Sequence, residues 1–256
     1  MIFASFPSFD ACLWFLTIAA YLTLCARLRV NHAERRYPAF CAYIYFTAFL
    51  NIGTVLAIWV YPGGYLFFYA PMCLVAYVLM AFVAREVYSY VFGPKEALPE
   101  GTPRTVAVML AVSVTAAAAL GSGIYLIGPS TAMRAIAVSE FILTAGTCSS
   151  LWVLIFHSRR LGISWSPFIA SIAIGFVLYL TTGLLARFVQ SNGFAGSLLA
   201  LRTENSIYFI SLGWWAMALW KKEYVPERAT SAQNNLLLFE HRQNMKEAAR
   251  VFGIEA

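Results

Sequence analysis

Residues 37–84, YPAFCAYIYFTAFLNIGTVLAIWVYPGGYLFFYAPMCLVAYVLMAFVA, contain no Asp, Glu, Lys, Arg or His, and are bracketed by Arg35-Arg36 on one side and Arg85-Glu86 on the other. Only Tyr61-Pro62-Gly63-Gly64-Tyr65 interrupts the apolar run. Phe40–Val60 and Tyr65–Ala84 are each about 20 residues, which at roughly 1.5 Å per residue covers a hydrocarbon core of about 30 Å. The stretch therefore reads as a membrane hairpin, with two helices joined by a tight uncharged turn.

The rest of the chain agrees with that reading. Of its 256 residues 61% are hydrophobic and 12% charged, against about 25% charged in a globular domain, and the mean hydropathy is +0.70. This is the composition of an all-α, multi-pass membrane protein. The net charge of +6 comes from basic residues in short segments between apolar stretches, which points to membrane surface and excludes a nucleic-acid partner. Cys12, Cys25, Cys41, Cys73 and Cys148 all fall inside apolar spans with no CxxC pair, so they read as small buried hydrophobes and not as a disulfide framework or zinc site. Met1–Asp10 lacks the basic start of a secretory signal, and the first apolar stretch is taken as an uncleaved helix. The absence of any Asn-x-Ser/Thr acceptor favours a bacterial inner membrane.

Seven stretches are long enough to cross: about 11–27, 39–60, 65–88, 105–127, 133–156, 165–189 and 199–220. Placing 27–38, 85–104, 157–164 and the tail on one side gives that side Arg27, Arg29, Arg35, Arg36, Arg85, Lys95, Arg104, Arg159, Arg160, Lys221, Lys222, Arg228, Arg242, Lys246 and Arg250. The other side holds only Arg134, Arg187 and Arg202. The positive-inside rule then puts the N-terminus outside and the C-terminus inside. Turn chemistry at Pro62-Gly63-Gly64, Gly128-Pro129-Ser130 and Ser191-Asn192-Gly193 fits the outer ends. We divide the chain into a seven-helix domain, residues 1–222, and a cytoplasmic tail, residues 223–256. Within the span 105–127, Ala107, Ala111, Thr115, Ala119 and Gly123 repeat at every fourth position, a stripe suited to close helix packing within the bundle or between copies in a homo-oligomer. Gly175 and Gly183 read as loosening points in the sixth span.

Helix number and orientation resemble those of microbial rhodopsins and G-protein-coupled receptors, and the resemblance extends no further. Retinal chemistry would need a lysine within the last span, and the lysines are Lys95, Lys221, Lys222 and Lys246, all in loops or tail. Arg85-Glu86, which resembles the acidic-arginine pair of receptors in place but not in order, reads as an interfacial pair. His32, His157 and His241 all map outside the spans, which argues against an intramembrane metal or haem cofactor and against a Ser–His hydrolase. P-loops and dinucleotide fingerprints are absent. No catalytic residue is assigned.

One polar constellation remains. Glu140 stands sixteen positions before Phe156 and Glu204 sixteen before Trp220, so both carboxylates are expected at one depth, about 24 Å above the inner boundary. Thr144, Thr147 and Cys148 follow below Glu140, and Tyr208, Ser211 and Trp215 below Glu204, at helical spacing. Arg134, Arg187 and Arg202 are the cations on that side, and Thr47, Asn51 and Thr54 share one face of the second span. The expectation is an outward-facing pocket with ligand-binding residues Glu140, Glu204, Arg134, Arg187, Arg202, Asn51 and Tyr208, taking a small polar or lipid-like ligand. In the tail, Leu238, Met245, Ala248, Ala249 and Phe252 oppose Glu240, Gln243, Lys246, Glu247 and Arg250 along an amphipathic helix that would meet the bilayer or a protein partner. These features suit a non-enzymatic receptor or sensor, with an accessory subunit of a larger membrane complex or a small transporter as alternatives.

Overall fold

The computed structural model describes residues 8–61, 65–92, 131–160, 165–191 and 197–220, together with residues 108, 111, 112 and 115. Among the described residues all regular structure is helical. The long helices are α1 (Ser8–Val30), α2 (Pro38–Val60), α3 (Tyr65–Phe92), α4 (Thr131–Arg160), α5 (Pro167–Ser191) and α6 (Ser197–Trp220). Each packs on the next, and α6 closes back on α1, so the six form a ring. Five of them contain a stretch long and apolar enough to cross a membrane: Phe9–Val30, Pro38–Val60, Phe68–Phe92, Val138–Arg159 and Pro167–Val189. The protein is a multi-pass helical membrane protein.

Two departures from the expected seven spans follow from residue chemistry and coverage. Helix α6 has 24 residues, but Arg202, Glu204 and Asn205 occupy its first turns, and it is not among the helices apolar enough to qualify as a span. Of the expected span 105–127 only Val108, Ala111, Val112 and Thr115 are described, all helical. Ala107, Ala119 and Gly123 of its small-residue stripe, like the tail helix 235–252, lie outside the described residues.

Helix ends show why the elements begin where they do. After α1 the backbone turns at His32, whose φ of 50° is left-handed, and a short 3-10 turn at Ala33–Arg35 leads into Pro38 at the start of α2. No side chain of the preceding residues caps α2. Its free N–H groups are met from another helix: Ala39 and Phe40 donate to the two carboxylate oxygens of Glu86, each at 3.0 Å. Glu86 thus pins α3 to the start of α2, a role in addition to the interfacial one expected of Arg85-Glu86. At α5 the Ser166 hydroxyl accepts the Ile169 N–H, with Pro167 in the first turn where its missing N–H is harmless.

An aromatic knot fills the ring. Trp215 is fully buried, edge-on to Phe40 at 5.4 Å and 4.8 Å from Phe176, with Phe168 and Tyr43 completing the cluster. Its indole N–H donates to the Ser171 carbonyl at 3.0 Å, and the Ser211 hydroxyl donates to the Gly175 carbonyl. Gly175 makes that seat possible: a Cβ there would fall 2.3 Å from the Trp215 indole nitrogen. Gly175 and Gly183 are therefore close-approach sites facing Trp215 and Glu204, where the sequence suggested loosening. Outward, Phe15, Leu22, Phe49, Leu56, Leu185 and Ile210 are exposed, as suits helices whose outer solvent is lipid.

Candidate functional site

Helix direction decides which side chains meet. Asp10 and Arg202 pair near the starts of α1 and α6, while Asn31 and Leu219 meet near their ends, so these two helices run parallel. Tyr77 and Glu140 meet in the upper parts of α3 and α4, and Phe92 and His157 near their ends, so these are parallel too. Helices α2 and α5 run the opposite way and bring their last turns to the same end of the ring. That end carries Asp10, Glu140, Arg187 and Glu204; Arg27, Arg29, Arg35, Arg36, Arg85 and Arg159 belong to the other.

A cavity of about 760 Å³ opens among these helices. Its lining includes Asn51, Glu140, Arg187, Glu204 and Tyr208, which brings together five of the seven residues expected from the sequence. Arg202 is turned away into a two-pronged pair with Asp10, whose carboxylate lines the cavity: Nε and Nη2 each lie 3.1 Å from one of its oxygens. The side chain of Arg134 lies outside the described residues.

Glu140 and Arg187 form an ion pair, and the Tyr77 hydroxyl donates to the same carboxylate oxygen. Arg187 also donates to the Tyr77 oxygen at 3.0 Å. Three helices are thereby tied at one corner. Both charged side chains are 23% exposed, so the pair is half-buried and screened less than a surface pair. Glu204 differs. It rests against Gly183, where a Cβ would stand 2.9 Å from its oxygen, and among the described residues its carboxylate has neither a hydrogen bond nor an ion pair.

Aromatic residues supply much of the remaining wall. The Tyr179 and Tyr208 rings stand 4.4 Å apart, and the Tyr208 and Tyr43 hydroxyls are 3.3 Å apart. The Trp14 indole N–H donates to the side-chain oxygen of Asn51 at 3.3 Å. The amide N–H of Asn51 and the hydroxyls of Thr47 and Thr54 donate to carbonyls of their own helix, so of these three side chains only Asn51, among the described residues, also bonds another helix, through Trp14. Below the cavity the polar face expected on α4 is largely consumed in packing. Thr144 and Thr147 are buried, and Cys148 lies 3.3 Å from the Thr181 hydroxyl.

Sequence reading missed Asp10, Tyr43, Tyr69, Tyr77 and Tyr179 as cavity residues. Asp10 carried a usable signal, being the chain's single aspartate and standing in the first turn of α1 opposite an arginine of equal depth. The tyrosines carried none, because an aromatic in an apolar helix reads the same whether it faces lipid, core or cavity. Among the described residues no group of three His, Cys, Asp or Glu side chains is placed to hold a metal ion. No family model matches the chain, nor does any curated protein or solved structure.

Proposed function

We propose that the chain is a seven-helix membrane protein of receptor or sensor type, N-terminus outside and C-terminus inside, whose cavity faces outward and binds a small polar or lipid-like ligand. The observation that carries the reading is the cavity of about 760 Å³, within the ~300–1,000 Å³ of small-molecule sites. It gathers ionisable side chains from α1, α4, α5 and α6 at membrane depth, where such groups are costly and mark function. The end at which it lies is the end poor in arginine, which supports the outward orientation.

Helix direction supports the seventh crossing. Because α3 and α4 run the same way, α3 ends and α4 begins at opposite ends of the ring, and the sequence between them holds an apolar stretch, 105–127, of crossing length. The localisation proposed is a bacterial inner membrane. The tail is proposed to meet a protein partner or the inner leaflet.

Cys73 lines the cavity and Cys148 is buried beside Thr181, which provides the test. A membrane-impermeant maleimide added to intact cells is expected to label Cys73 and leave Cys148 unmodified, as read from their peptides by mass spectrometry. Labelling of Cys73 only from the inner face, or from neither face, would overturn the outward pocket.

A further inference from the structure

We infer that the cavity selects an organic cation, a primary to quaternary ammonium group held by the Glu204 carboxylate against tyrosine faces. The inference rests on the outward-pocket reading and narrows it to a ligand class. Three carboxylates line the cavity. Asp10 is matched by Arg202, and Glu140 by Arg187 and the Tyr77 hydroxyl. Glu204 is left over: among the described residues it has no hydrogen bond and no ion pair, and it shares only the longer-range attraction of Arg187, which Glu140 already engages. Counting Asp10, Glu140 and Glu204 against Arg187 and Arg202, the described site carries one negative charge in excess.

An anionic ligand would meet that excess and would have to displace Glu140 or Asp10 from its arginine. A cation needs no such displacement, and it gives a carboxylate that has only a share of Arg187 a counter-charge of its own. The walls suit the same ligand. Tyr208 follows Glu204 by one helical turn on α6, its ring lies 4.4 Å from that of Tyr179, and both line the cavity; the electron-rich faces of aromatic rings attract ammonium groups, which is the basis of aromatic cages for choline-like ligands. Tyr77 is already faced by Arg187, whose guanidinium carbon is 5.9 Å from the ring centre, so its ring tolerates a cation. The shared ammonium chemistry has two sources, a free amine in the medium or the headgroup of a phospholipid entering from the outer leaflet.

The test uses the full chain in phosphatidylglycerol nanodiscs and reads protection of Cys73 from maleimide. The probes are choline, its uncharged carbon isostere 3,3-dimethylbutan-1-ol, dihexanoyl-phosphatidylcholine and acetate. Choline is expected to protect at least ten-fold more tightly than the isostere. Glu204→Gln should bring choline down to the level of the isostere, and Glu204→Asp should keep most of the preference, with thermal unfolding of both variants close to that of the parent. Protection by the short phosphatidylcholine and not by free choline, equally dependent on Glu204, would support the ammonium site and assign its source to lipid. Equal protection by choline and the isostere, unchanged choline protection in Glu204→Gln, protection by acetate, or no protection by any probe while Cys73 reacts would each overturn the cation inference and leave the pocket standing. Failure of Cys73 to react at all in the untreated protein would overturn both.

Discussion

Glu140 and Glu204 look equivalent in the sequence, at matching distances from the ends of their helices, yet they have different surroundings. Glu140 is committed to Arg187 and Tyr77, whereas Glu204 is uncommitted. Their substitutions should therefore diverge. Glu140→Gln leaves Arg187 half-buried without its hydrogen-bonded counter-charge and is expected to lower stability by about 1–3 kcal/mol, less than the ~3–5 of a fully buried pair because 23% side-chain exposure keeps some solvation. Thermal unfolding of Glu140→Gln, Arg187→Gln and the double variant checks this, and the double variant should be more stable than the sum of the single losses predicts. Additive losses would mean that the pair holds nothing together. Such a divergence was not legible beforehand, because spacing along a helix gives depth and face but not which neighbour reaches across.

At the scale of elements, α5 and α6 depend on a glycine to approach. The Ser171 carbonyl, Gly175 and Ser211 hold the Trp215 indole between the two helices, and the fit has no slack. Gly175→Ala would place a methyl 2.3–3.0 Å from three atoms of that ring, and Trp215 has no free space to move into because it is fully buried against Phe40 and Phe176. A loss of about 1–3 kcal/mol is expected from such overpacking, measurable as a lowered unfolding midpoint and a shifted Trp fluorescence spectrum. Gly183→Ala should be milder, because the atom it meets is the far end of a flexible Glu204 side chain, and an unchanged midpoint for Gly175→Ala would remove the close-packing account. Helix α2 makes a related point. Its N-terminus looked uncapped in the local sequence, and its cap, Glu86, stands 46 and 47 residues away along the chain from its two donors.

For the whole molecule, α3 runs parallel to α4 and α1 to α6, which is the arrangement the proposed seven-helix topology requires. A reporter fused after Ala256 should be active only in the cytoplasm and one fused before Met1 only outside, and activity of the C-terminal fusion outside would reverse the proposed orientation. Membrane character, helix extents within a few residues, and the distribution of arginines were determined by the sequence alone. Hydrophobic length and charge act residue by residue against the bilayer, so they are readable without knowing any contact. The grouping of Glu140, Glu204, Arg187, Asn51 and Tyr208 around one cavity was also legible, since helical rise and face are local quantities. Only the tertiary structure decided that Arg202 turns to Asp10, that Glu86 caps α2, that Gly175 seats Trp215 and that Arg187 bonds Glu140 and not Glu204. Each of those outcomes is a contest among neighbours from different helices for one partner, and the order in which helices stand around the ring determines which neighbours compete.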